Sequence, residues 1–354
     1  MGSLDRVAAS GPPERRVGAF PGPVERHLRG WVRVAHLRRM TDSFGMIQFS
    51  RGPVPEPKTG YTADDNARAL VVAARLGLED LAEVYLSFLD RSLRPDGWFH
   101  NLWRQDRTPA PDGQSEDCQG RCLWALAEAA GSALPAHLRR RAESLLERAL
   151  PTVDQLRTPR GRANALMGLA RLADPVPLAA VAEALCDQLA ATDPAWPWPE
   201  PVLTYELGRV PCGLLRASRV GLERWRQVAL RTLDFLLDVM VEDGTVVPVG
   251  NRGWYSRGGQ KARWDQQPVE PGALVEACVE AYALTGQARY REAARAAWEW
   301  FWGRNLKGAV LVDPSGACRD GLGEDGASDN RGAEACLAYL LAALAWSELE
   351  VEGP

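Results

Sequence analysis

Histidine and lysine are scarce in this chain of 354 residues, with four of the first and three of the second (Lys58, Lys261 and Lys307). The seven cysteines are odd in number and scattered, with no CxxC pair and no Cys/His cluster. That pattern argues against a disulfide framework and against a zinc site. Cys122, Cys186, Cys278 and Cys336 fall in apolar helical patterns, where a free thiol behaves as a small hydrophobe. No dense Asp/Asn ladder suggests a calcium loop, so neither a metal nor a cofactor is expected. No apolar run approaches the length of a membrane span, and Met1–Pro23 lacks the apolar core of a signal peptide, so a cytoplasmic protein is expected. Strong charge is missing too. A net charge of −4 and a pI near 5.8 give no reason to expect nucleic acid or an anionic membrane as partner. Nucleotide motifs are absent: there is no GxxxxGK[ST], and the glycine-rich stretch Gly250–Gly259 does not open a helix after a strand.

What the chain has is repetition. Six short polar runs each precede a small-residue-rich apolar helix: Asp64–Arg68, Glu116–Arg121, Arg160–Asn164, Tyr205–Arg209, Asp265–Glu270 and Asp329–Glu334. After an arginine-rich amphipathic segment at Val24–Thr41, the 3.6-residue periodicity predicts two kinds of helix in alternation. Asp64–Leu76, Asp117–Ala130, Gly161–Leu172, Tyr205–Ala217, Val269–Leu284 and Ala333–Glu350 are apolar nearly all round. Leu81–Ser92, Pro135–Leu150, Pro177–Ala191, Leu222–Val241 and Ala288–Trp302 carry a polar face. Helices apolar on every side are buried and striped ones face water, so the alternation predicts two concentric rings, an all-α (α/α)6 barrel. Short hairpins are expected at Gly45–Ser50, Trp98–Trp103 and Thr245–Val249. The long loops 44–62, 95–115, 193–203, 243–267 and 308–328 all fall on one face. No linker divides the chain; the expected organisation is a flexible tail over 1–23 and one catalytic domain over 24–354.

With the inner helices parallel, all six polar starts converge on that face. Trp98, Phe99, Trp103, Trp196, Trp198, Trp254, Tyr255 and Trp264 lie in its loops. Aromatic faces beside carboxylates, amides and guanidiniums suit a sugar, whose C–H face stacks while its hydroxyls hydrogen-bond. One of Asp64 and Asp65 is expected to cap its helix while the other projects into the mouth. Glu200, in the stiff run Trp196-Pro197-Trp198-Pro199-Glu200-Pro201, has no capping role, and an apolar surround would keep it protonated as a general acid requires. A protonated and an ionised carboxyl facing each other across a sugar pocket is the arrangement of glycoside hydrolysis. The expected catalytic residues are Glu200 as acid and Asp65 or Asp117 as base, with Asp265 a third candidate for the base. Asp64, Arg68, Arg121, Tyr205, Asn251, Asp265, Gln266, Gln267 and Glu270 are expected to bind hydroxyls. Trp196, Trp198 and Trp254 are expected to stack on sugar rings. His100 reads as a wall residue.

Three strings carry a resemblance to a family: Gly60–Leu70 (GYTADDNARAL), Trp196–Arg209 (WPWPEPVLTYELGR), and Val249–Glu270, which opens VGNRGWY and closes WDQQPVE. They resemble a bacterial family of glycosidase-like domains that occur alone or fused behind glycosyltransferase domains, often near mannoside-phosphorylase genes. The resemblance runs from about Met40 to Leu344. It implies an (α/α)6 barrel acting on an oligosaccharide of mannose or glucose, with a glycosyltransferase as a further partner. Family members often carry Tyr-Asp-Asn where this chain has Tyr205-Glu206-Leu207, a departure that speaks against a catalytic Glu206. The leading expectation is an inverting glycoside hydrolase. Its rivals are a glycan-binding module without turnover, a phosphorylase, and a sugar epimerase or isomerase, whose chemistry normally wants the paired histidines this chain lacks.

Overall fold

A computed structural model of the chain describes residues 30–172 and 175–351. Twelve α-helices are present among them: α1 (Ala35–Met40), α2 (Ala63–Leu76), α3 (Glu79–Ser92), α4 (Glu116–Ala130), α5 (Ala136–Ala149), α6 (Pro159–Leu169), α7 (Val176–Ala190), α8 (Arg209–Ser218), α9 (Glu223–Met240), α10 (Val269–Thr285), α11 (Ala288–Trp300) and α12 (Ala333–Val351). The even-numbered helices pack in ring order, α2 on α4, α4 on α6, α6 on α8, α8 on α10, α10 on α12, and α12 back on α2. Outside them α3, α5, α7, α9 and α11 each cover the inner helix they follow, and α1 covers α12. This is the (α/α)6 barrel expected from the alternation. Among the described residues, no helix is long and apolar enough to cross a membrane.

Two boundaries differ from expectation. Of the segment predicted at Val24–Thr41, only Ala35–Met40 is helical among the described residues, because the chain turns at Gly30–Trp31; His27 and the expected tail lie outside them. The helix predicted from Tyr205 begins instead at Arg209. Glu206 adopts φ 49°, and the backbone N–H groups of Glu206 and Leu207 both donate to the Glu270 carboxyl, so the chain cannot wind into helix there.

The small residues of the inner helices have a specific use. Glycine inside a helix costs about 1 kcal/mol relative to alanine, so its recurrence needs a gain elsewhere. A Cβ on Gly120 of α4 would lie 2.3 Å from the Gly161 carbonyl of α6, and one on Gly213 of α8 would lie 2.4 Å from the Ala163 carbonyl. Backbone meets backbone at these crossings, which is how six helices fit round one narrow axis. Gly120→Ala is therefore expected to lower stability by about 1–3 kcal/mol, the cost of overpacking, despite alanine's better helix propensity. An unchanged urea midpoint would show that α4 and α6 can part freely. All seven cysteines are free and buried in this core.

Paired two-residue strands tie the loops at one end of the barrel: Tyr61–Thr62 with Leu102–Trp103, Val202–Leu203 with Tyr255–Ser256, and Leu322–Gly323 with Gly326–Ala327. Gln266 and Leu322 exchange backbone hydrogen bonds, which joins two of the long loops. The inner helices start at this end, so the loops form the rim of the barrel mouth.

Candidate active site

Hydroxyl caps set the register of three inner helices. Thr62 accepts from the Asp65 N–H, Ser115 from the Cys118 N–H and Thr158 from the Gly161 N–H. Two residues beyond each cap stand Asp64, Asp117 and Arg160, the top layer of the mouth. Four residues further, one helical turn down, come Arg68, Arg121 and Asn164, all buried. Seven further still are Arg75, Glu128 and Arg171, where both arginines pair with Glu128. The axis is thus lined by ionic layers.

The capping geometry decides between the two aspartates. Asp65 occupies the third helical position, its Oδ2 accepting from Thr62 Oγ1 at 2.8 Å while its N–H donates to that same hydroxyl oxygen. It is 3% exposed, and its Oδ1 accepts from Arg68 at 2.8 Å. Burial pushes its carboxyl up to about 6, against the pull of Arg68 and with help from Asp64. Asp64 is the one at the mouth. Its carboxylate spans two guanidiniums, Arg68 at 3.2 Å and Arg121 at 2.5 Å. Arg121 reaches on to Glu206, Glu206 accepts from Arg209 Nε at 3.1 Å, and Arg209 holds Glu276 through two hydrogen bonds of 2.6 and 3.2 Å. Arg68 also touches Glu334 at 3.5 Å. Five buried N–H or amide positions here have no protein partner: Arg68 Nε and Nη1, Arg121 Nε, and both amide atoms of Asn164. Buried polar atoms rarely stay unpaired, so water or a ligand's oxygens are needed to satisfy them.

Asp117 and Tyr205 meet, the phenol donating to Asp117 Oδ2 at 2.7 Å. Burial raises the Asp117 carboxyl, with Glu206 adding to it, against Arg121 and Tyr205. Glu200 differs from its expected apolar isolation. Arg160 donates to both its oxygens, at 2.9 and 3.1 Å, and Trp198 Nε1 donates at 3.2 Å. Accepting on both oxygens, the Glu200 carboxylate anchors Arg160. Arg160 also holds the Tyr205 carbonyl and Thr204 Oγ1, so this cluster fixes the loop that leads into α8. Trp196 and Trp198, expected to stack on sugar, are 6% and 2% exposed; Trp196 packs against Phe235 and Tyr255. They close the barrel top.

Glu270 is a positioning residue, not a hydroxyl ligand. It is 2% exposed, with both oxygens taken by the N–H groups of Glu206 and Leu207. Burial pushes its carboxyl from 4.5 up to about 8, outweighing those two donors. A folded pKa above the unfolded one gives stability that is full below pH 4.5 and is lost as pH rises through 8. Glu270→Gln should therefore flatten the fall in unfolding free energy between about pH 5 and pH 8.5. Equal slopes for variant and parent would remove Glu270 as the source.

The remaining predicted residues sit on the opposite rim. Asn251 is exposed and Trp254 half-buried; Asp265, at φ 60°, pairs with Arg252 at 3.1 Å. Gln266 is fully buried, its amide spent on the Arg263 carbonyl and on Trp300 Nε1, which makes it structural. Gln267 is half-buried, its carbonyl accepting from the Glu270 N–H. Asp320, which no sequence pattern marked, stands in the loop before α12, half-buried. Burial and then the Glu334 carboxylate push it up to about 6. His100 is held by Asp112 at 2.9 Å and by the Leu102 carbonyl at 3.0 Å, as a wall residue would be. A cavity of about 780 Å³ lies not above the ionic layers but beside them, between the strands that lead into α2 and the 102–110 loop.

The sequence matches no protein-family profile and no curated protein. The fold has many counterparts among solved structures. A sugar epimerase from a ruminal bacterium superposes with a TM-score of 0.70 at 12% identity, over 90% of this chain and 97% of its own. A D-mannose isomerase gives 0.71 at 14%, over 92% and 96%. The GH76 α-mannanase of Bacteroides thetaiotaomicron gives 0.55 at 11%, over 82% and 87%. At identities this low the likeness carries the fold alone.

Proposed function

We propose that the protein is a glycoside hydrolase acting on an oligosaccharide that contains mannose or glucose. The observation that carries this reading is the set of carboxyls in the mouth. Asp117 and Asp320 are partly accessible and both shifted up, while Asp64 and Glu334 lie on guanidiniums. Asp320 is pushed up to about 6, whereas Arg121 and the Tyr205 hydroxyl oppose the rise at Asp117, and that difference assigns the acid and the base. Asp320 takes the acid role expected of Glu200. Asp117 is the base, as one reading of the sequence had it: Tyr205 steadies Oδ2 and leaves Oδ1 for a water. They stand on either side of Asp64, on the loop before α12 and on α4, which flank α2. Inversion requires the two carboxyls to stand about 6.5–9.5 Å apart.

A second reading, sugar epimerase or isomerase, is favoured by the TM-scores of 0.70 and 0.71 to such enzymes. Paired histidines for that chemistry are not found in the mouth among the described residues: His36 lies on α1 and His137 on α5. One screen separates the two. Manno- and gluco-oligosaccharides of defined linkage are incubated with the protein, with and without phosphate, and products are read by mass and by NMR. Shorter sugars with inverted anomeric configuration are expected. Products of unchanged mass but altered sugar identity would mean epimerisation, and cleavage only with phosphate would mean phosphorolysis.

A further inference from the structure

Beside the mouth lies a cleft of about 780 Å³, within the range of about 300–1,000 Å³ typical of ligand sites. Its lining includes Gln48, Lys58, Thr59, Trp103, Gln105 and Asp106. A second recess of about 510 Å³ shares Lys58 and Gln105 with it and continues it outward past Val54 and Pro55. Nothing in the ionic layers uses either. Yet Val54 and Leu102, two of the exposed large apolar side chains, line them at 62% and 37% exposure. Exposed apolar side chains that cluster are a mark of a binding surface.

The cleft leads into the mouth. Its floor is the strand pair Tyr61–Thr62 with Leu102–Trp103, and Thr62 is the cap of α2, two residues before Asp64. Asn101, next to Leu102, accepts the Asp64 N–H on its side chain and the Ala63 N–H on its carbonyl. At the other edge the Gln48 carbonyl accepts from the Ala333 N–H, at the start of the helix that carries Glu334. The side-chain amides of Gln48 and Gln105 make no hydrogen bond within the described residues and lie on the surface, where both donors and acceptors are free. The half-buried Trp103 indole, in edge contact with Phe44 and Phe88 and beside free amides and an ammonium, offers a sugar both an apolar surface and hydroxyl partners.

We propose that this cleft and its outer recess bind the distal residues of an oligosaccharide whose reacting end sits over Asp64 and Asp117. The site thereby favours chains of several sugars over disaccharides. The inference rests on the proposed glycosidase reading and adds to it a direction for the substrate, outward across the 48–61 and 102–110 loops. The lining carries Arg51, Lys58 and Arg104 against Glu56 and Asp106, so hydroxyl oxygens meet donors and acceptors of both signs.

The test is calorimetric titration of the Asp117→Asn protein, slowed in turnover, with linear manno- and gluco-oligosaccharides of two, four and six residues. The same titrations are made with Gln48→Ala and Gln105→Ala added. Affinity is expected to rise with chain length, and the two added substitutions to weaken the hexasaccharide by about tenfold while leaving the disaccharide unchanged. Binding that is independent of length, or hexasaccharide binding that ignores both substitutions, overturns this proposal and leaves the glycosidase reading in place. Failure of every sugar to bind overturns both. Sedimentation of the parent protein supplies a further check: a dimer abolished by Val54→Asp would assign the recess to a second copy of the chain and not to sugar.

Discussion

Asp117→Asn and Asp320→Asn are each expected to lower kcat by about 10²–10⁴-fold while the protein stays folded. Neither substitution should disturb the fold. Asparagine at 117 can still accept from the Tyr205 hydroxyl, and asparagine at 320 removes a repulsion from Glu334. The two losses should differ in kind. An acid at Asp320 protonates the departing oxygen, so its loss should weigh heavily on sugar–sugar bonds and little on aryl glycosides whose leaving group needs no proton. A base at Asp117 activates water whatever the leaving group, so its loss should weigh equally on both. The pH profile gives an independent reading. With Asp320 pushed up to about 6, the acid form is lost as pH rises through that value, which sets the alkaline limb of a bell. That limb should vanish in Asp320→Asn when an aryl glycoside is the substrate. Activity within about threefold of the parent for both variants would remove these carboxyls from the mechanism, since general acid–base groups contribute far more.

The fold was legible because it depends on patterns that repeat locally. Small apolar helices alternate with striped ones, and Thr62, Ser115 and Thr158 mark three inner-helix starts within a few residues of where the periodicity placed them. One feature of the site's geometry was also within reach of the sequence. Once Thr62 is taken as the cap, the third helical position falls on Asp65 and the mouth on Asp64, and the same offset from Ser115 and Thr158 finds Asp117, Arg121, Arg160 and Asn164. The rest depends on partners far along the chain. Nothing near Glu200 announces Arg160, forty positions earlier, whose guanidinium turns an isolated loop glutamate into an anchor. Nothing near Tyr205 announces that Glu270 will take two backbone N–H groups and delay α8. The burial of Trp196 follows from its contact with Phe235, on an outer helix. Asp320 becomes a candidate only when the loop folds it against Glu334.

Arg209→Met is expected to destabilise the protein by about 3–5 kcal/mol, because removing one partner of a buried ionic network leaves the others charged and unpaired. Arg209 is 2% exposed and serves two carboxylates, Glu206 at 3.1 Å and Glu276 at 2.6 and 3.2 Å, with its guanidinium 4.8 Å above the Trp124 ring. Burial alone would raise the Glu206 carboxyl. Arg121, Arg209 and Arg68 outweigh it and hold the group down to about 2. The linkage fixes the sign of the pH effect. A depressed folded pKa gives stability that is present above the unfolded value of 4.5 and is lost as pH falls toward 2. Losing Arg209 moves the Glu206 carboxyl upward, so the deficit of the variant should be largest near neutral pH and shrink on acidification through the carboxylate range. The second substitution Glu276→Leu removes one of the stranded charges and should recover part of the loss, since a buried pair replaced by apolar side chains of similar size is often neutral. Glu206 still has Arg121. Urea titrations of the single and double variants at pH 4 and pH 7 decide the matter. A deficit that is the same at both pH values, with no recovery in the double variant, would mean that Arg209 acts through its packing on Trp124 and that the ionic layers along the axis add nothing to stability.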